Sequence, residues 1–304
     1  MNINVSNRFN IPGPFMQMIS RNTYTQGKTD VNVTSFLAPP QIGALKSLHA
    51  DKIVVDASDQ LYSAWGNNLH NILENYGHTT TDAIVEEFLF TQDKGIKWGG
   101  HIDLREPSPN GFIISDYKVA PTFKVKKILQ MDGDRDKEWE KQLNCYALLV
   151  KRNNPDIKIF SIQVVAFLRD WSKVKAADSN SYPQCGVAVV NLPLWTVAEQ
   201  EIFVRDRLDL WAIQQQALDQ HGDFIPCTPE ERWKKADVFK VKDKKTHRSK
   251  RNFDNEKDAQ TFIKSQAVSE KFYIEASPGL SLRCTHYCEV APYCKQFKEE
   301  GEKK

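Results

Sequence analysis

Asp103, Asp116 and Lys118 are the residues of this 304-residue chain whose types and spacing best fit a chemical task. They fall in two short segments, Gly99-Gly100-His101-Ile102-Asp103 and Ile114-Ser115-Asp116-Tyr117-Lys118. Asp116 and Lys118 are two apart, so on a strand they share a face. Pro107-Ser108-Pro109-Asn110-Gly111 between the segments is a turn signal, which makes the pair a hairpin. A two-residue loop at Asn110-Gly111 sets Asp103 opposite Lys118. A four-residue loop, Ser108 to Gly111, sets it opposite Asp116. In either register Asp103 lies on the side of Asp116 and Lys118. Facing carboxylates repel unless something neutralises them, and a hard divalent cation prefers their oxygens. Such an ion activates water and stabilises charge on a phosphoryl group. A lysine beside it can orient or deprotonate that water, or offset developing negative charge. Gly99 and Gly100 would let the backbone approach a bulky substrate. Asp-x-Lys alone is common on polar hairpin faces, but the isoleucines beside these charges point to a buried hairpin.

A second group is made of thiols. Six cysteines occur, and Cys284-x3-Cys288-x5-Cys294 is a compact cluster near the C-terminus. In a reducing setting clustered cysteines suggest a metal before disulfides. Three ligands need a fourth. Cys227 follows a proline at the start of the C-terminal module and would close the ring. His286 would be strained inside its loop. Cys145 fits a core helix and Cys185 a loop. All-cysteine coordination suits an iron–sulfur cluster or structural zinc.

The elements that must position these groups follow from periodicity. Ser58–Tyr76 reads as a helix with Leu61, Trp65, Leu69, Ile72 and Leu73 at helical spacing and Ser58 as N-cap. Asp82–Leu89 is a second helix candidate. Ile96–Leu104 and Gly111–Val119 are strands. Trp139–Arg152 is a helix with Trp139, Leu143, Tyr146 and Val150 on one stripe. Ile157–Leu168 and Gly186–Val190 are strands, and Trp195–Gln220 is a long amphipathic helix. Residues 1–54 are expected to be an arm and cover, irregular to about residue 32. Residues 55–226 form the core, and 227–304 a small C-terminal module. The chain is 40% hydrophobic and 26% charged, with mean hydropathy −0.53 and net charge +2. No apolar run approaches the roughly 18 residues of a membrane span. The N-terminus lacks the basic-then-apolar pattern of a secretory signal. No membrane association and a cytoplasmic setting are expected, the host cytoplasm if the chain is phage-encoded. From Arg232 to Arg251 the chain is crowded with Lys and Arg, with Asp237 and Asp243 its only acids. Lys240, Lys242, Lys244 and Lys245 are candidates there for holding DNA phosphates.

Taken in order, GHID, then ISDYK, then Gln142-Leu143-Asn144-Cys145-Tyr146 resemble the motifs of RecB-like nucleases in the PD-(D/E)XK superfamily. That family shows a GxxD strand, a (D/E)xK strand and a helix with QxxxY. Gly66-Asn67-Asn68-Leu69-His70 resembles its helical histidine motif. Glu86 and Glu87 fall where an acidic residue is common. The combination covers about residues 55–150. It implies an α/β fold with a restriction-endonuclease-like core, a mixed central sheet flanked by helices, and a cysteine-stapled C-terminal module.

The resemblance further implies Mg²⁺ or Mn²⁺ held by Asp103, Asp116, His70 and Glu87, Glu86 being the alternative to the last. Lys118 would assist the water, with Gln142 and Tyr146 against the site. The triplet of cysteines resembles the iron–sulfur members, such as the CRISPR-associated exonucleases. Their fourth cysteine lies upstream of the core, whereas no cysteine precedes Cys145 here. A fourth ligand at Cys227 resembles phage-type members. This favours [4Fe–4S] on Cys227, Cys284, Cys288 and Cys294, with structural Zn²⁺ as alternative. The expected activity is a DNA exonuclease of recombination, repair or phage DNA processing, with recombination or replication proteins as further partners. The alternatives are a structure-specific or restriction-like endonuclease and a catalytically silent DNA-binding protein.

Overall fold

Ile102 and Ile114, the isoleucines that flank the charged hairpin, are fully buried, and a six-stranded mixed sheet is built around them. The computed structural model describes residues 4–20, 29–77, 82–129, 137–220 and 224–302. The long strand Ile96–Ser108 pairs antiparallel with Ile84–Asp93 on one side. On its other side it pairs with Gly111–Ala120 and, at its start, with the short strand Val31–Asn32. Gly111–Ala120 then pairs parallel with Ile159–Leu168, and Val187–Leu192 closes the edge antiparallel. Parallel neighbours need a crossover, and the helix Glu138–Asn153 supplies it. That helix is buried over almost all its length, from Trp139 to Val150. The sheet lies along it, and the helices Val33–Leu37 and Val197–Asp219 also pack against it. A Thr196–Glu199 capping box starts the latter helix.

Asp82–Leu89, expected as a helix, belongs to the strand Ile84–Asp93. Its turn is Lys94-Gly95, with φ of +49° and +85°, the left-handed pair that matches strand twist in a two-residue hairpin. Pairing along Ile96–Arg105 overrides the weak helical pattern. Ser58 is not a helix N-cap. Asp56 caps a short 3₁₀ turn, Ala57–Gln60, which runs into the helix Leu61–Gly77. The expected apolar stripe of that helix is not core: Ala64 is its buried residue, while Trp65 and Ile72 face water.

The N-terminal segment is more than an irregular cover, although residues 1–3 and 21–28 lie outside the described residues. Val31 and Asn32 join the sheet, and Phe36 meets Trp98 edge-on at 5.6 Å. Leu45, Ile53 and Val55 form an apolar cluster with Val290 and Cys294. The expected boundaries at 54 and 226 are thus crossed by one small core. In the C-terminal part Val238–Asp243 is the middle strand of a three-stranded sheet, between Ser249–Phe253 and Phe272–Ser277. The helix Glu256–Lys264 packs on it. Among the described residues no helix is long and apolar enough to cross a membrane.

Candidate metal centre and cysteine cavity

The hairpin turns at Pro109-Asn110, and its pairs run from Ser108↔Gly111 to Leu104↔Ser115. This register points Asp103 at Asp116, the second of the two expected. At Asp103 the side chain takes over from the ladder: its Oδ2 accepts a hydrogen bond from Tyr117 N at 2.7 Å. The carbonyl of the same Tyr117 lies 3.1 Å from His70 Nε2. A carbonyl only accepts, so Nε2 carries the proton and Nδ1 is turned to the carboxylates. Nδ1 sits 3.4 Å from Asp103 Oδ1 and 3.6 Å from Glu86 Oε1. One backbone unit, between Asp116 and Lys118, therefore orients two of the site's side chains.

Glu86 reaches this position through an unusual backbone. Its φ is +47°, the left-handed region that costs a side-chain-bearing residue on the order of 1–2 kcal/mol. It lies between the pairs Val85↔Leu104 and Glu87↔Ile102, which is opposite Asp103. Glu87, expected at the metal, is elsewhere. It makes a two-pronged ion pair with Arg105 at 2.9 and 2.8 Å. Arg105 is buried and stands over the Phe112 ring. The carboxylate that the fold brings to His70 and Asp103 is that of Glu86. Glu86→Gln should weaken Mn²⁺ binding by at least about tenfold. Glu87→Gln should leave ion binding alone and cost roughly 1–3 kcal/mol of stability, because Arg105 loses a charged partner. Titration calorimetry with Mn²⁺ and thermal melts separate the two, and equal loss of ion binding in both would reverse the assignment.

Asp116 is buried and held from two sides. Gln142 Nε2 donates to its Oδ1 at 3.2 Å and to Tyr146 Oη at 2.9 Å. Its Oδ2 forms an ion pair with Lys118 Nζ at 2.7 Å. Burial pushes the Asp116 carboxyl up, Lys118 pulls it down and Asp103 pushes it up, leaving it at about 6. Burial would lower the His70 imidazole, but hydrogen bonds to Asp103 and Glu86 win and raise it to about 10. Lys118 is raised for the same reason: Asp116 and Asp103 outweigh its burial. With no ion, an imidazolium and an ammonium balance the carboxylates. His70, Glu86 and Asp103 bring ligand atoms within 4.8 Å of one another, a spacing that suits one ion.

Gly99 and Gly100 do not clear a path for substrate. A Cβ at Gly100 would meet the Tyr146 ring at 2.8 Å, and one at Gly99 the Leu89 carbonyl oxygen at 2.4 Å. Both glycines admit parts of the protein itself, and Gly100 lets Tyr146 seat beside Gln142.

Cys227, Cys284, Cys288 and Cys294 line one small cavity, walled also by Gln41, Leu45, Arg232 and Arg283. Cys145 is buried in the helix Glu138–Asn153 and Cys185 is exposed, so both are apart from it. The sulfurs are not drawn tightly together: no three come within 4.8 Å of one another. Burial, aided by the Glu231 carboxylate and then by neighbouring thiols, pushes Cys227 up to about 12, and burial with the neighbouring thiols pushes Cys284 up to about 11. Cys227 Sγ donates to Gln41 Oε1 at 3.3 Å. The helix Pro40–Leu48, which holds Gln41 and Leu45, carried no sequence signal of this role.

The four candidate lysines divide. Lys242 Nζ pairs with Glu275 at 2.7 Å, and Lys240 Nζ donates to Ser277 Oγ at 3.0 Å, both across the strand. Both are thereby tied to the neighbouring strand Phe272–Ser277. Lys244 and Lys245 are exposed in the turn that follows, with Arg248 and Lys250 beyond.

No protein-family model matches this chain, and no curated protein matches it. A solved structure, that of SSO0001, is similar over 64% of this chain and 84% of its own, at 16% identity and a TM-score of 0.41. A likeness at that level leaves function to be argued from the site.

Proposed function

We propose that this chain is a divalent-ion-dependent deoxyribonuclease with a restriction-endonuclease-like core of the PD-(D/E)XK type, acting as an exonuclease. The observation that carries this reading is the convergence of His70, Glu86 and Asp103 on one point beside the Asp116–Lys118 pair. The residues fit an ion. Nδ1 of His70 is turned toward the carboxylates of Asp103 and Glu86, whose oxygens it meets within 3.6 Å. Mg²⁺ or Mn²⁺ bound there would activate water and neutralise charge on a phosphodiester. His70, Glu86, Asp103 and Asp116 would hold it, and Gln142 would keep Asp116 in place. Lys118 stays charged, so it donates a hydrogen bond to the attacking water or a phosphoryl oxygen rather than taking a proton. The water oxygen bonds to phosphorus, a P–O bond to a sugar oxygen breaks, and that oxygen leaves with a proton.

The four cysteines would hold a [4Fe–4S] cluster. Around one zinc, sulfurs 2.3 Å from the metal would sit under about 4 Å apart. An all-cysteine set accommodates either group, and metal analysis tells them apart. Lys244 and Lys245 would contact DNA phosphates, with Lys240 and Lys242, which also bond to Ser277 and Glu275, beside them.

End-labelled single- and double-stranded DNA with Mn²⁺, Mg²⁺ or EDTA tests the function. Cleavage is expected with either ion and none in EDTA. Release of mononucleotides marks an exonuclease, and internal fragments an endonuclease. Both DNA forms surviving with every ion would overturn the reading.

A further inference from the structure

The helix that carries His70 also carries a stripe that the hydrolytic site does not use. Tyr62, Trp65, Leu69, Ile72 and Tyr76 recur at steps of three and four along Leu61–Gly77, which places them on one side of the helix. Such a stripe ordinarily faces a core. Here Tyr62 is 47% exposed, Trp65 50%, Ile72 52% and Tyr76 70%. A continuous apolar band on water marks an interaction surface.

Its place in the fold says what kind. His70 touches the carbonyl of Tyr117, and further back along the helix the Arg169 guanidinium lies 3.6 Å from the centre of the Tyr62 ring. Arg169 N donates to the Ala120 carbonyl at 3.1 Å. The helix therefore runs antiparallel beside the strand Gly111–Ala120. Tyr62 stands near the strand's end, just past Lys118, and His70 follows about 12 Å along the helix. Phe123, 70% exposed, follows Ala120 in the chain.

Charge points the same way. Glu74 is the helix's one acid, and Asn67, Asn68, Asn71 and Asn75 are neutral donors and acceptors. A polyanion can lie along such a helix without repulsion. A guanidinium stacked on a tyrosine at one end attracts phosphate and extends the flat surface.

We propose that this stripe is a stacking platform for unpaired bases of a nucleic-acid strand whose backbone runs into the His70–Glu86–Asp103 site, with Trp65 and Tyr62 as its principal positioning residues. This rests on the nuclease reading and goes beyond it by assigning the grip on the strand to base faces. Rings with exposed π-faces stack on any base, so the grip does not depend on sequence. A protein partner would use the same stripe only as apolar area.

The test measures fluorescence anisotropy of a labelled oligodeoxythymidylate in EDTA, beside a strand of equal length with abasic positions. Wild type should bind the normal strand at least about tenfold more tightly than the abasic one. Trp65→Ala should weaken binding of the normal strand by about 5- to 100-fold. It should leave abasic binding and the salt slope unchanged, because no phosphate contact is lost. Trp65→Phe should keep most of the affinity, and Trp65→Leu should behave like Trp65→Ala. Equal binding of normal and abasic strands by wild type overturns the platform without any variant, so a misfolded Trp65→Ala leaves the question decidable. Full affinity in Trp65→Leu also overturns it and points to an apolar surface for a protein. Mn²⁺-dependent cleavage that persists in those cases shows that the platform alone has failed. A wild type that neither binds nor cleaves any strand overturns the nuclease reading and the platform with it.

Discussion

Asp116→Asn is expected to lower DNA cleavage by at least about a thousandfold while DNA binding stays within a fewfold of wild type or tightens. Asparagine is the sharper choice than alanine because it keeps the volume of a fully enclosed side chain and an oxygen for Gln142. What it removes is the negative charge beside Lys118. Removing one preorganised electrostatic group commonly costs a factor of about 10²–10³. Here the loss adds weaker ion binding, since one of four donors becomes neutral. Ground-state affinity for DNA should not suffer, because a carboxylate near a phosphodiester is repulsive without its ion. Cleavage rates on end-labelled DNA at a fixed Mn²⁺ concentration that just saturates the wild type, beside binding in EDTA, give the result. Cleavage by Asp116→Asn at the wild-type rate would remove Asp116 from the site.

The sequence made the hairpin legible because its signals are local. Two strands of alternating isoleucine and charge, joined by Pro109-Asn110, leave few registers open, and one of the two expected is adopted. The acidic position was not settled because the neighbouring turn went unrecognised. With Lys94-Gly95 as a two-residue turn, Asp93 pairs with Ile96, and counting back sets Glu86 opposite Asp103. That step needs the strand Ile84–Asp93, which a brief helical pattern disguised. The exposed stripe of Leu61–Gly77 misled for another reason. Periodicity reports that apolar residues share a face; it does not report what covers that face. Long-range contacts left the weakest trace. Nothing near Gln41 or Leu45 in the sequence refers to cysteines more than 180 positions away, yet they wall the same cavity.

Those contacts give the cysteine centre its expected consequence. Cys284→Ser should abolish cluster binding and expose two distant stretches to protease together, the helix Pro40–Leu48 and residues 284–297. The cavity draws its walls from three parts of the chain: that helix, the segment at Cys227–Arg232, and the C-terminal cysteine loop. Its own apolar core is small, with Leu45, Ile53, Val55, Val290 and Cys294 as the buried members. Such a core contributes little by itself, so a metal centre that closes the loop from Cys227 to Cys284 supplies folding energy. Structural metal sites contribute on the order of 10 kcal/mol, more than the roughly 5–15 kcal/mol margin of a typical domain can lose unnoticed. Without a metal Cys227 and Cys284 stay protonated, because burial and their neighbours raise both thiols. Cleavage should fall as a consequence, through disorder that begins at Pro40–Leu48 and reaches Val31–Asn32 in the central sheet. Cys185→Ser and Cys145→Ala should keep full metal content, since neither thiol lies in the cavity. Anaerobic purification with metal analysis decides the centre: brown protein with about four irons per chain is the cluster, and colourless protein with about one zinc is a zinc site. Metal-free wild type that melts cooperatively at the same temperature as the loaded protein, with all four thiols open to alkylation, would refute the structural role.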